Sequence, residues 1–133
     1  TLRAREQDIR SEKASSNICT NQTLNAIGSA IHLSWLGPEG LYDMGYHSIQ
    51  KANYMKKSLI KNGYIIPNDD SSLREFLLEV KTEASEVINK MGDKGFLAGI
   101  YYDDKHVLVA VTEKRKKTEI DDYILALQEV DNG

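Results

Sequence analysis

The side chains able to do chemistry fall into three sets, of which only one is dense. His32, His47 and His106 lie far apart in the chain, none with a carboxylate cluster or a second ligand at metal-binding spacing, so the sequence argues against a metal centre. Cys19 is the only cysteine. No histidine stands near it in sequence to take its proton, which fits a small packing residue better than a nucleophile. The dense set is Ser16-Asn17-Ile18-Cys19-Thr20-Asn21-Gln22, a cluster of short hydrogen-bonding side chains immediately ahead of a long helical pattern. The first N–H groups of a helix lack partners inside it, so such a position is suited to lining a cleft or holding an anion. Arg5, Glu6, Asp8, Arg10, Glu12 and Lys13 precede it with neither strict alternation nor a clean helical face. Only Leu2 and Ile9 are there to be buried among residues 1–15, and so the stretch is expected to need neighbours for order. Gly37-Pro38-Glu39-Gly40 lacks the spacing of a phosphate loop. Thr112-Glu113, followed by Lys114-Arg115-Lys116-Lys117, reads either as a solvated loop or as a strand end facing a partner.

The elements that position these residues follow from periodicity. Leu24, Ile27, Gly28, Ile31 and Trp35 recur at one-face helical spacing and predict a buried stripe, capped by Thr20 or Asn21. Gly37 permits a stop, and Pro38 suits the first turn of a second helix, which runs to about Asn62 with Leu41, Met44, Ser48, Ala52, Met55 and Leu59 inward. Tyr64-Ile65-Ile66 predicts a short edge strand and residues 67–72 a turn. Residues 73–81 alternate, with Phe76, Leu78 and Val80 on one side. Thr82 is placed to cap a helix carrying Ala84, Val87, Ile88 and Met91 and closing at Gly95. Residues 96–101 and 107–112 then pair as a hairpin across Asp103-Asp104-Lys105. A last helix is expected to start with Thr118 and Asp121 at capping-box spacing and to bury Ile120, Ile124, Leu127 and Val130. The fold class is therefore α+β: two long N-terminal helices followed by a small, mainly antiparallel sheet covered by helices. Residues 1–20 form a charged lead-in, 21–63 a helical hairpin and 64–133 the sheet domain, one compact domain overall.

Composition sets the outer limits. The chain has 133 residues, 41% of them hydrophobic, enough for one real core but not for a large multidomain enzyme. Lys+Arg 17 against Asp+Glu 20 leaves a net charge of −3 with no basic stripe, which argues against a nucleic-acid surface. No apolar run approaches the roughly 20 residues of a membrane span. A lone cysteine fits a reducing, cytoplasmic setting. The chain begins at Thr1, which suggests a piece of a longer protein.

The run Arg5-Glu6-Gln7-Asp8-Ile9-Arg10-Ser11-Glu12-Lys13-Ala14-Ser15-Ser16-Asn17-Ile18-Cys19-Thr20 resembles a segment of the glycine cleavage system P-protein family, in the form split into two chains, of which this is similar to subunit 1. Leu36-Gly37-Pro38-Glu39-Gly40-Leu41, Gln50-Lys51-Ala52-Asn53-Tyr54, Glu75-Phe76 and Val109 to Arg115 follow in the family's order. The resemblance implies the small C-terminal domain of a fold-type-I pyridoxal phosphate enzyme that releases CO2 from glycine and passes the aminomethyl group to the lipoyl group of H-protein. It implies pyridoxal phosphate in the complete enzyme, with its lysine on subunit 2, and subunit 2, lipoylated H-protein and glycine as partners. This chain alone is expected to be inactive, with no cofactor of its own. Ser16, Asn17, Cys19 and Thr20 match positions near the cleft between subunits, and Arg10 and Lys13 match charged positions suited to a carboxylate or the partner chain. Ser11, Ser15 and Gly99-Ile100-Tyr101-Tyr102 depart from the family pattern. A free-standing α+β ligand-binding or interaction module is the competing reading.

Overall fold

The computed structural model describes residues 21–67 and 73–132. The charged lead-in and most of the turn expected at 67–72 lie outside the described residues. The order of elements is α1 (Thr23–Lys61), β1 (Glu75–Glu79), α2 (Ala84–Asp93), β2 (Ile100–Asp103), β3 (His106–Ala110) and α3 (Lys117–Asn132).

Asn21 starts α1 by accepting the Thr23 N–H on its side-chain oxygen at 3.0 Å. The helix breaks at Gly37, whose φ of 62° and ψ of −176° are non-helical. Pro38 requires such a break, because its ring would strike the carbonyl four residues back, and glycine takes the positive φ without a Cβ clash. The chain divides into two compact units at this point, 1–37 and 38–133. In the second unit Ser48, Ala52, Met55 and Leu59 are buried on α1, at the spacing the sequence shows. In the first unit the expected stripe is not covered among the described residues: Leu24 is 82% and Trp35 86% exposed, and Ile27 and Ile31 are also exposed. Periodicity marks an apolar face but does not identify what lies against it.

The sheet is three-stranded and antiparallel in the order β1-β3-β2. Phe76 stands opposite Val109 and Leu78 opposite Val107. These four side chains share one face and are buried, while Glu75, Leu77 and Glu79 alternate to the other side. Tyr64-Ile65-Ile66 is not a strand. It makes a single bridge, Ile65 to Glu79, because its neighbours are otherwise engaged. Tyr64 N–H turns back to the Leu59 carbonyl at 3.1 Å, closing α1 around Gly63 (φ 85°), and Pro67 has no N–H to extend a ladder. On the other edge, the register shifts between Tyr101 and Asp103, leaving Tyr102 as an extra residue.

Helix starts also differ from expectation. Thr82 does not cap α2. Its hydroxyl donates to Asp131 at 2.9 Å, and the helix-start N–H of Ala84 is taken by the Asp104 carbonyl of the hairpin turn at 2.9 Å. For α3 the capping bond runs from the Lys116 N–H to the Glu119 carboxylate at 2.6 Å. The helix thus begins ahead of the Thr118–Asp121 pair, with glutamate in its usual third position. Its inward stripe of Ile120, Ile124, Leu127 and Val130 is buried as the spacing indicates.

Polar groups also lie in and around the core. Asp131, only 2% exposed, accepts from the Lys81 N–H, the Thr82 N–H and the Thr82 hydroxyl at 2.9–3.0 Å, fastening the end of α3 to the β1–α2 turn. Tyr123 is buried and donates to the Ala98 carbonyl at 2.6 Å. Tyr64 is buried with its hydroxyl unpartnered among the described residues. Burial first, then the negative charge of Asp131, pushes its pKa up to about 12.

A Cβ on Gly99 would lie 2.5 Å from the Leu108 carbonyl oxygen and 2.6 Å from Val107 Cγ1. Gly99→Ala should therefore cost at least about 1–3 kcal/mol in urea unfolding. Gly45→Ala, with open space around its site, should gain about 0.5–1 kcal/mol. Tyr64 gives a pH signature. Because its folded pKa is raised from 10 to about 12, the folded state holds the proton longer, and the associated stability is intact below pH 10 and lost as pH rises through 12. Unfolding followed from pH 9 to about 12 should show a shallower loss for Tyr64→Phe than for the parent, with little change at neutral pH.

Candidate functional site

Ser16, Asn17, Cys19, Thr20, Arg10 and Lys13 all lie outside the described residues, and the structure locates only the helix start that follows them. The histidines are held separately. His47 Nδ1 is 3.4 Å from Gln50 Oε1 on α1, and His106 Nδ1 is 2.7 Å from Asp103 Oδ1 in the hairpin. No group of three His, Cys, Asp or Glu side chains able to hold a metal occurs among the described residues.

Side chains distant in sequence meet along the α1 edge of the second unit. Ser48 Oγ donates to the Met44 carbonyl at 2.8 Å and accepts the Glu113 N–H at 3.2 Å. Lys51 Nζ donates to the Glu113 carbonyl. Glu113, at the exit from β3, therefore faces α1 of its own chain, and the basic run Lys114-Arg115-Lys116 is left exposed beyond it. One turn further along α1, the Tyr54 hydroxyl donates to Asp121 Oδ1 at 2.6 Å, while Lys117 Nζ reaches Asp121 Oδ2 at 2.7 Å. The Lys117 ammonium also sits 4.9 Å from the centre of the Tyr54 ring. Lys117 first, and the Tyr54 hydroxyl second, hold the Asp121 carboxyl below the usual carboxylate range. That contribution is present above the unfolded carboxyl pKa and is lost as pH falls through the lowered folded value. No local sequence signal marks the ties of α1 to Glu113 and Asp121, since those partners are more than 60 residues apart.

The first turns of α3, the end of β3 and the connection from α2 to β2 enclose a cleft of about 800 Å³. Met55, Phe96, Ala98, Ile120 and Tyr123 make it largely apolar, and Arg115, Glu119 and Asp122 add charge from the α3 side. Phe96 and Tyr123 meet edge to face, with ring centres 5.9 Å apart. The cleft can receive an apolar body, but among the described residues its lining includes no nucleophile paired with a base.

These features make the second unit a small α+β fold whose polar contacts are structural ties and whose surface keeps an apolar cleft. A family model of the glycine cleavage system P-protein matches residues 1–127, and the chain belongs to that family. It is similar to a probable glycine dehydrogenase (decarboxylating) subunit 1 from Prosthecochloris aestuarii, 44% identical over 128 residues, covering 93% of this chain and 29% of the relative. It is 40% identical over 136 residues to the protein of the same name from Listeria welshimeri, covering 98% of this chain and 30% of that one. Among solved structures it resembles glycine decarboxylase (P-protein) of the glycine cleavage system in inhibitor-bound form, with a TM-score of 0.80 and 32% identity, covering 98% of this chain and 31% of that chain. The chain thus spans about 30% of the length of the relatives it matches.

Pyridoxal phosphate, the group the resemblance implies, requires a lysine amine within its pocket and donors around its phosphate. The cleft lining contains no lysine and is mainly apolar. Among the described residues it does not fit that group.

Proposed function

We propose that this chain is the small C-terminal domain of glycine dehydrogenase (decarboxylating) subunit 1, acting in an enzyme that releases CO2 from glycine and passes the aminomethyl group to the lipoyl group of H-protein. The observation carrying this reading is the 40–44% identity over 93–98% of the chain to proteins named as that subunit. The TM-score of 0.80 to a P-protein supports it independently of sequence spacing. Pyridoxal phosphate supplies the electron sink in the complete enzyme, and its lysine belongs to subunit 2. Subunit 2, lipoylated H-protein and glycine are the partners, in a cytoplasmic setting.

Within that enzyme the domain shapes and closes the site without carrying the reaction. Residues 1–20 lead into it, 21–63 supply the long helices and 64–133 the sheet. Ser16, Asn17, Cys19 and Thr20 line the cleft between subunits with short polar groups, while Arg10 and Lys13 position a carboxylate or the partner chain. Alone, the chain releases no CO2 from glycine and takes up no borohydride-fixed pyridoxyl group.

A graft tests this directly. The matching segment of the Listeria welshimeri subunit 1 is replaced by this chain and assembled with subunit 2, H-protein and pyridoxal phosphate, and glycine-dependent CO2 release is measured. The graft should be active, and Asn17→Ala and Thr20→Ala should each lower its turnover at least about tenfold, the equivalent of ~1.4 kcal/mol of transition-state stabilisation. An assembled but inactive graft overturns the assignment of the domain. Unchanged turnover, with stability lowered by a cap-sized amount of about 0.5–2 kcal/mol, overturns the cleft role of the two residues.

A further inference from the structure

β3 is paired unequally along its length. On the β1 side the ladder runs from His106 to Val111, with Glu75 opposite Ala110 and the Val111 N–H on the Arg74 carbonyl at 2.9 Å. On the β2 side it stops at Leu108, opposite Ile100. Continued antiparallel, that register would set Ala98 against Ala110. Ala98 is instead drawn away, its carbonyl accepting the Tyr123 hydroxyl at 2.6 Å. Backbone groups of successive strand residues face opposite edges. Since the Val111 N–H points to β1, the N–H and C=O of Ala110 and the N–H of Thr112 point the other way. None of these three groups has a hydrogen-bond partner among the described residues. They form a short open edge in the middle strand of the sheet.

That edge lines the cleft of about 800 Å³, together with the connection from α2 to β2 that has moved away from it. We propose that one extended segment of subunit 1, from the part of it that has no counterpart in this chain, lies in the cleft and adds to the sheet beside Ala110 as a further strand. This rests on the reading of the chain as a domain of subunit 1. Free N–H and C=O groups at ladder spacing select an extended backbone, because a helix has already spent its own groups internally. Alternate side chains of the segment meet Ile120 and Tyr123 on the helix-covered side of the sheet and Ile100 and Leu108 on the other. At the rim Glu75, Glu119 and Asp122 outnumber Arg115, so a segment with a basic side chain among apolar ones fits best. The source is the same subunit, since the relatives named subunit 1 extend well beyond the match, which covers 29–30% of each.

The grafted subunit 1, assembled with subunit 2, tests this with p-benzoylphenylalanine in place of Leu97, which is fully exposed at the cleft. Irradiation followed by mass spectrometry of the digest should give one intramolecular cross-link, from position 97 to a short stretch of subunit 1 outside residues 1–133. A link to subunit 2, a link within residues 1–133, or no link in an active graft overturns the added strand and leaves the subunit reading standing. A graft that fails to assemble or is inactive overturns both. Ala110→Pro separates strand addition from side-chain contact. The N–H it removes is the one facing the cleft, so the β1 ladder loses no bond and the chain alone should keep the circular dichroism of the parent. In the graft, amides of the linked stretch should exchange at least about fivefold faster with Ala110→Pro, through loss of one hydrogen bond. Unchanged exchange there, or unfolding of the chain by Ala110→Pro, overturns the added strand.

Discussion

The second unit depends on the central place of β3, which pairs with β1 on one edge and β2 on the other. Val107 and Val109, opposite Leu78 and Phe76, form the apolar face on which the core is built. Each such side chain removed from water contributes about 1.5–3 kcal/mol before the entropy of ordering is counted. Other groups in the unit hold elements against this face. Gly99 lets the chain entering β2 pass close over Val107 and Leu108. Ser48 and Lys51 fix the exit from β3 to α1 through Glu113. Asp131 binds the far end of α3 to the turn after β1. Tertiary bonds therefore set where the helices lie, and the apolar face sets why they stay.

This ordering explains which elements can be read from the sequence. The alternation of Phe76, Leu78 and Val80 and the spacing of Ile120, Ile124, Leu127 and Val130 are repeated signals, each residue reinforcing the next, and the structure buries all of them. The break at Gly37-Pro38 is legible because two backbone constraints act at neighbouring positions. Caps and ties rest on single residues and are less secure. Thr82 and Thr118 have the chemistry of a cap, but the Asp131 carboxylate draws the first into a tertiary bond, and Glu119 sets the start of α3 two residues ahead of Thr118. Tyr64-Ile65-Ile66 has strand-forming residues, yet helix closure takes the Tyr64 N–H and Pro67 ends the ladder.

The candidate site divides along the same line. Its polar cluster at residues 16–20 is legible as composition, because short hydrogen-bonding side chains gather ahead of a helix start, whereas the ties of Glu113 to Ser48, Asp121 to Tyr54 and Asp131 to Lys81 join residues about 50 or more apart and leave no local trace. The face of residues 24–36 shows a different limit. Its spacing was sufficient to mark it as apolar, but a sequence carries no record of whether its own chain or another supplies the cover. The chain spans about 30% of the length of its relatives, and there this distinction matters most.

Hydrogen exchange along the chain, alone and within the grafted, assembled enzyme, tests most directly the proposal that the chain works as part of a larger enzyme. A helical run as short as residues 24–36 is marginal in water without tertiary support. Its amides should therefore exchange rapidly in the isolated chain while those of 107–111 exchange slowly, and should become protected on assembly. Protection of 24–36 equal to that of β3 in the isolated monomer would contradict the account.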